Sequence, residues 1–93
     1  MVITLKQYRL RCRHLKQKYG ITFSQHQEMI KAQEGKCAIC GTVGIAELAI
    51  DHDHNTGRVR GLLCRRCNTG LGCFRDNPRS LKAAIEYLKR SDD

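Results

Sequence analysis

The sequence predicts a small α+β fold, and three observations carry that prediction. Cys37-x-x-Cys40 and Cys64-x-x-Cys67 are two thiolate knuckles whose spacing suits one tetrahedral zinc ion. Between them, two short apolar runs flank the turn signal Asn55-Thr56-Gly57, which reads as a β-hairpin. On either side, apolar residues recur at spacings of three and four, which reads as helices.

Size and charge narrow the class. A chain of 93 residues is expected to be one domain with a marginal hydrophobic core, so a metal would supply stability the core lacks. The apolar runs are too short to cross a membrane, and MVITLKQYRLRCRHLKQ lacks the apolar stretch of a secretory signal. Four of the six cysteines fall in C-x-x-C pairs, which favours metal over a disulfide framework and places the protein in the cytoplasm. The net charge of +8 is uneven, with +6 carried by residues 1–36. Such a balance attracts a polyanion, most often nucleic acid. Without a lipid anchor, a membrane partner is not expected.

Leu5, Tyr8, Cys12, Leu15 and Tyr19 form the stripe of a first helix, capped by Thr4 and ended by Gly20. Arg9, Arg13, Lys16 and other basic residues fill the opposite face, where they can follow a phosphate backbone or a partner subunit. Cys12 reads as a small buried hydrophobe and His14 as a solvated residue within reach of phosphate. Ser24-x-x-Gln27 predicts the cap of a second helix, with apolar contacts from Phe23, Met29 and Ile30 and a stop at Gly35. His26, near its start, reads as structural or exposed.

Cys37-Ala-Ile-Cys40-Gly41 reads as a tight metal knuckle, and 42–47 as a loop. Leu48 to Ile50 is expected to be a strand ending at Asp51, and Arg58 to Leu63 the returning strand. Cys64 to Gly72 has the length of a compact helix. Asn77-Pro78 predicts the cap and first turn of a final helix, with Leu81, Ala84, Ile85 and Leu88 as its buried stripe. Cys73 reads as core, and the last three residues as frayed. The expected organisation is one domain: basic helices over 1–34, a metal-pinned core over 35–73 and a C-terminal helix over 74–93.

The chemistry lies inside the loop closed by the knuckles. A four-thiolate zinc has no open position and is structural. Asp51 at a strand end and Asn68 in the following helix offer harder oxygen donors, which suit Mg2+ or Mn2+. His52 can activate water, because an imidazole titrates near neutral pH. His54 returns to the same face and can assist at a phosphate, while Asp53 either orients an imidazole or has no special role. Arg58 and Arg60 are expected to share one face of the return strand and clamp phosphates, with Arg65 and Arg66 beginning the next helix. The competing readings are a noncatalytic zinc-built DNA-binding module and a zinc-scaffolded protein-interaction domain.

The run C-A-I-C-G, then I-D-H-D-H, then G-x-V-R-G-L-L-C-x-x-C-N followed by L-G closely resembles the recombination endonuclease VII family. That family belongs to the wider HNH, or ββα-metal, nucleases, and the resemblance is strong over residues 35–72 and looser over 77–88. It implies a zinc-stabilised ββα-metal core with flanking helices, and structural zinc on Cys37, Cys40, Cys64 and Cys67. It implies a catalytic magnesium on Asp51 and Asn68, where many relatives have histidine in place of the asparagine. His52 would be the general base and His54 an additional phosphate-side histidine. The implied reaction is cleavage of DNA to 5′-phosphate and 3′-hydroxyl ends by a phage or prophage protein in a bacterial host. The name-giving branch resolves branched DNA as an intertwined dimer. Both a homodimer and a monomer fit this shorter chain.

Overall fold

A computed structural model of the chain describes residues 3–43 and 48–90. They form α1 (Leu5–Tyr19), α2 (Phe23–Ala32), β1 (Ala49–His52), β2 (Val59–Leu63), α3 (Arg65–Cys73) and α4 (Pro78–Arg90). The expected loop over 42–47 and the expected fraying at 91–93 lie largely or wholly outside the described residues.

Thr4 starts α1 as expected. Its hydroxyl accepts from the Gln7 N–H at 3.1 Å, and the Gln7 side chain accepts from the Thr4 N–H at 2.9 Å. Such a reciprocal box satisfies two donors that the first turn leaves orphaned. Gly20, at φ 71°, closes the helix in the left-handed region. Only Ile21 separates this turn from the next cap, which differs from expectation. Thr22 and Gln25 form the box that starts α2, at 2.8 and 3.0 Å, in place of Ser24 and Gln27. Both sequence patterns are present, but Thr22 is the one with extended backbone (ψ 163°), and Ser24 is already helical.

Where α2 ends, Gln33 performs a task that no motif announces. Its amide oxygen accepts from the Leu62 N–H at 3.0 Å, and its amide nitrogen donates to the carbonyls of Leu62 at 2.9 Å and Lys36 at 2.8 Å. One side chain thus pairs with both backbone groups of a β2 residue, as a neighbouring strand would. Ala38 N–H also donates to the Leu62 carbonyl at 3.1 Å. Leu62 itself is fully buried.

β1 and β2 pair antiparallel, with Ala49 opposite Leu63, Ile50 opposite Leu62 and Asp51 opposite Gly61. The register then slips, so that His52 faces Val59 and Arg60 becomes the extra residue of a bulge. β1 therefore runs one residue further than expected, through His52, and β2 starts at Val59. α3 follows β2 directly, with Cys64 at its cap, and packs against both strands. This strand–strand–helix unit is the ββα arrangement the sequence predicts.

The core around it is slight. Leu15, Cys37, Leu62 and Leu63 are the buried apolar residues among those described. The radius of gyration, 16.0 Å, exceeds the value of about 12 Å expected for a compact chain of this length. α4 adds no fully buried residue. Asn77 caps it, its side-chain oxygen accepting from the Arg79 N–H at 3.0 Å. The expected buried stripe is not buried, however: Ile85 is 52% and Leu88 63% exposed, and only Leu81 and Ala84 are half-covered. An amphipathic sequence dictates which face is apolar, not whether the chain itself supplies a cover. Cys73, expected in the core, is also exposed at the end of α3, whereas Cys12 is half-buried and His26 is buried.

Because Gln33 satisfies a buried β2 donor, Gln33→Ala leaves the Leu62 N–H without a partner and costs about 1–3 kcal/mol. Urea denaturation of the metal-loaded protein measures this directly; an unchanged midpoint would contradict the role assigned to Gln33.

Candidate functional site

The two knuckles meet. The Sγ atoms of Cys37, Cys40, Cys64 and Cys67 all lie within 4.8 Å of one another, with Cys40 and Cys64 separated by 3.7 Å. A disulfide would place sulfurs about 2.05 Å apart. Four thiolates on one tetrahedral ion with bonds of about 2.3 Å stand about 3.8 Å apart. Donor set and spacing therefore fit a structural metal site.

Local backbone geometry builds each half. In the first knuckle, Cys37 N–H donates to the Thr42 carbonyl at 2.9 Å and Gly41 N–H returns to the Cys37 carbonyl at 3.0 Å. Gly41 reaches this position at φ 72°, where a side chain would be strained. The second knuckle is the first turn of α3, with the Cys67 N–H directed at the Cys64 sulfur at 3.5 Å. Burial disfavours a charged Cys37 thiolate, but N–H groups of Cys64, Cys40 and Ile39 outweigh it and lower the thiol to about 6. Cys67 is pushed up to about 12, first by its hydrogen bond to Cys64, then by burial and by the Cys37 and Cys40 side chains.

The end of β1 carries the second group. Asp51 is buried, 8% exposed, while His52 and Asp53 are half-buried and His54 is exposed. The His52 and His54 rings lie 4.9 Å apart, edge to face, so the two imidazoles do share one side although the strand ends between them. Tyr19, the last residue of α1, places its ring 6.0 Å from His52. The basic helix therefore abuts the histidine pair. Asp53 resolves into a turn residue. Its carboxylate accepts from the N–H groups of Asn55 at 2.7 Å and Thr56 at 3.1 Å, and those bonds hold it below the usual carboxylate range.

Asn68 enters from the first turn of α3, half-buried, on the helix that packs against both strands. Asp51 is engaged by Arg60 through two bonds, Nε to Oδ2 at 2.8 Å and Nη2 to Oδ1 at 3.0 Å. Arg60 Nη2 also donates to Asp76 Oδ2 at 3.1 Å. Its hydrogen bond to Asp51 holds the guanidinium above its ordinary range. Arg60 thus does not stand beside Arg58 as a free pair on one strand face, because the bulge turns it towards Asp51. Arg58, Arg65 and Arg66 are exposed around the same hairpin and helix, and Arg9, Arg13 and Lys16 are exposed along α1.

Sequence reasoning missed Asp76, Gln33 and Tyr19 at this site. A spacing could not reveal Asp76, since its approach depends on a bulge and a turn far apart in the chain. Tyr19 had a visible place at the end of the α1 stripe, but not its neighbour.

Comparison with known proteins places this geometry. Residues 12–90 match the family described as recombination endonuclease VII. The chain is 47% identical over 73 residues to the Gene 59 protein of Mycobacterium phage L5, covering 75% of this chain and 44% of that protein. It is 44% identical over 75 residues to the Gene 59 protein of Mycobacterium phage D29, covering 77% and 46%. The crystal structure of the ββα-Me type II restriction endonuclease Hpy99I is similar at 36% identity with a TM-score of 0.56, over 87% of this chain and 48% of that one. The chain therefore spans less than half the length of these relatives.

The thiols make metal loading pH-dependent. The Cys67 thiol, held well above its ordinary value, must release its proton when metal binds, so apparent affinity should fall by about tenfold or more per unit as pH drops below neutrality. Competition titrations with a coloured chelator between pH 7.5 and 6 would show this; a flat profile would contradict the protonation assigned to Cys67. Four clustered thiols, a bulged hairpin feeding one helix and a match over most of its length make the conclusion plain: the chain belongs to the recombination endonuclease VII family of HNH endonucleases.

Proposed function

We propose that the protein is a divalent-metal-dependent DNA endonuclease that hydrolyses phosphodiester bonds to 5′-phosphate and 3′-hydroxyl ends. The observation that carries this reading is the imidazole pair, His52 and His54, held 4.9 Å apart next to the buried Asp51 carboxylate in a family of metal-dependent nucleases.

Each residue then has a task. Cys37, Cys40, Cys64 and Cys67 hold zinc, which ties β2 and α3 to the first knuckle. Asp51 and Asn68 are the ligands of Mg2+ or Mn2+, an oxygen donor set that suits a hard cation. When bound there, such a cation supplies positive charge to the phosphate oxygens. His52 takes the proton of the attacking water, and His54 supports it from the phosphate side. The Tyr19 ring flanks the His52 imidazole edge to face. Asp53 holds the turn that returns His54 to His52.

DNA binding falls to the exposed cations. Arg9, Arg13 and Lys16 on α1 and Arg58, Arg65 and Arg66 near the hairpin reach backbone phosphates, giving salt-sensitive binding with little base specificity. Arg60, spent on two carboxylates, is left out of that set. No helix among the described residues is long and apolar enough to cross a membrane. A phage or prophage protein acting on DNA in the host cytoplasm fits the phage relatives.

The test is cleavage of supercoiled plasmid, linear duplex and a four-way junction by wild type and His52→Ala, with Mg2+, Mn2+ or EDTA. Metal-dependent cleavage should fall by about 100-fold or more in a variant that still folds and binds DNA. Binding without cleavage by the metal-loaded wild type would replace the nuclease with a noncatalytic zinc-built DNA-binding module.

A further inference from the structure

Three irregularities of the backbone converge on one guanidinium. The bulge in β2 opposite the Asp51–His52 step turns Arg60 towards Asp51. Between α3 and α4, Arg75 and Asp76 both adopt left-handed conformations, φ 55° and 53°, which residues with side chains rarely occupy. Their N–H groups bond back to Gly72 at 2.9 Å and Leu71 at 2.8 Å, so that the turn is held. The result places Asp76 Oδ2 3.1 Å from the same Arg60 nitrogen that bonds Asp51 Oδ1 at 3.0 Å.

Exposure falls along the triad from Arg60 through Asp76 to Asp51. The side chains of Asp51, Arg60 and Asp76 are 10%, 36% and 22% exposed. Asp51 is the most enclosed, and an enclosed carboxylate without a cation is costly. Arg60 supplies that cation by a fork that occupies both carboxylate oxygens. A divalent ion on Asp51 needs at least one of those oxygens and repels the guanidinium. Asp76 offers Arg60 a second carboxylate already in contact.

We propose that Arg60 is a resident cation of the catalytic carboxylate, a positioning residue that aims Asp51 and competes with the divalent ion for it, withdrawing onto Asp76 when the ion binds. Ion binding is then an exchange of one cation for another at a carboxylate that stays aimed throughout. Asp76 sets how readily the exchange occurs. This inference rests on the reading of Asp51 as a ligand of the catalytic ion.

The test is Mn2+ binding to the zinc-loaded protein, followed by calorimetry and by the loss of the free Mn2+ electron paramagnetic resonance signal. Arg60→Gln removes the competitor and should bind Mn2+ about tenfold more tightly. Asp76→Asn removes the second seat and should weaken binding several-fold, but only while Arg60 is present, so that the double variant matches Arg60→Gln alone. Equal or weaker binding by Arg60→Gln would overturn the proposal, since a merely structural arginine predicts that result. Should Arg60→Gln fail to keep the wild-type circular dichroism spectrum, Arg60→Lys tests the same point: it keeps the charge, loses the fork and should still bind more tightly than wild type. Asp51→Asn separates the two readings. If it leaves Mn2+ binding intact, the ligand assignment fails and the inference falls with it; if it abolishes binding while Arg60→Gln gains nothing, the inference alone fails.

Discussion

Four sulfur atoms set the terms for this fold. Few of the described residues are buried, and two short strands of four and five residues would not persist as a hairpin in water. The cysteine cluster links the first knuckle to the start of α3 and so closes the segment that contains the hairpin. Gln33 and Ala38 complete the closure by pairing with Leu62 from outside the sheet. Metal–thiolate bonds thereby take the place that a larger domain gives to apolar burial.

The closed loop fixes the chemistry by position. β1 delivers Asp51 and His52 as its last two residues, and the Asp53 turn brings His54 back against His52. α3 starts at a metal-site cysteine, which locates Asn68 within the same turn as the cluster. Of the candidate catalytic residues, Asn68 thus directly follows a cysteine of the cluster along the chain. A bulge of one residue changes the role of Arg60, from a surface cation to the partner of a buried carboxylate.

Much of this was legible in the sequence, because metal ligands and turns are local signals. The C-x-x-C pairs, the Thr4 and Gly20 ends of α1, the strand–strand–helix order and the Asn77 cap all follow from residue types at short separations. What escaped depends on long-range geometry. Ser24 and Thr22 offer the same capping pattern, and the extended backbone at Thr22 makes it the cap. The apolar face of α4 is visible, but periodicity does not say what covers it; Ile85 and Leu88 remain largely exposed. Asp76 becomes a partner of Arg60 through two consecutive left-handed residues, Arg75 and Asp76, which no short motif announces.

The central claim is that bound metal, rather than apolar burial, holds the site together. Native mass spectrometry of the purified chain, paired with far-ultraviolet circular dichroism before and after chelation, tests it most directly. The account predicts one zinc ion per chain and a cooperative loss of ordered structure when it is removed, reversed on adding zinc back. A metal-free chain with the full spectrum and an unchanged melting transition would contradict it.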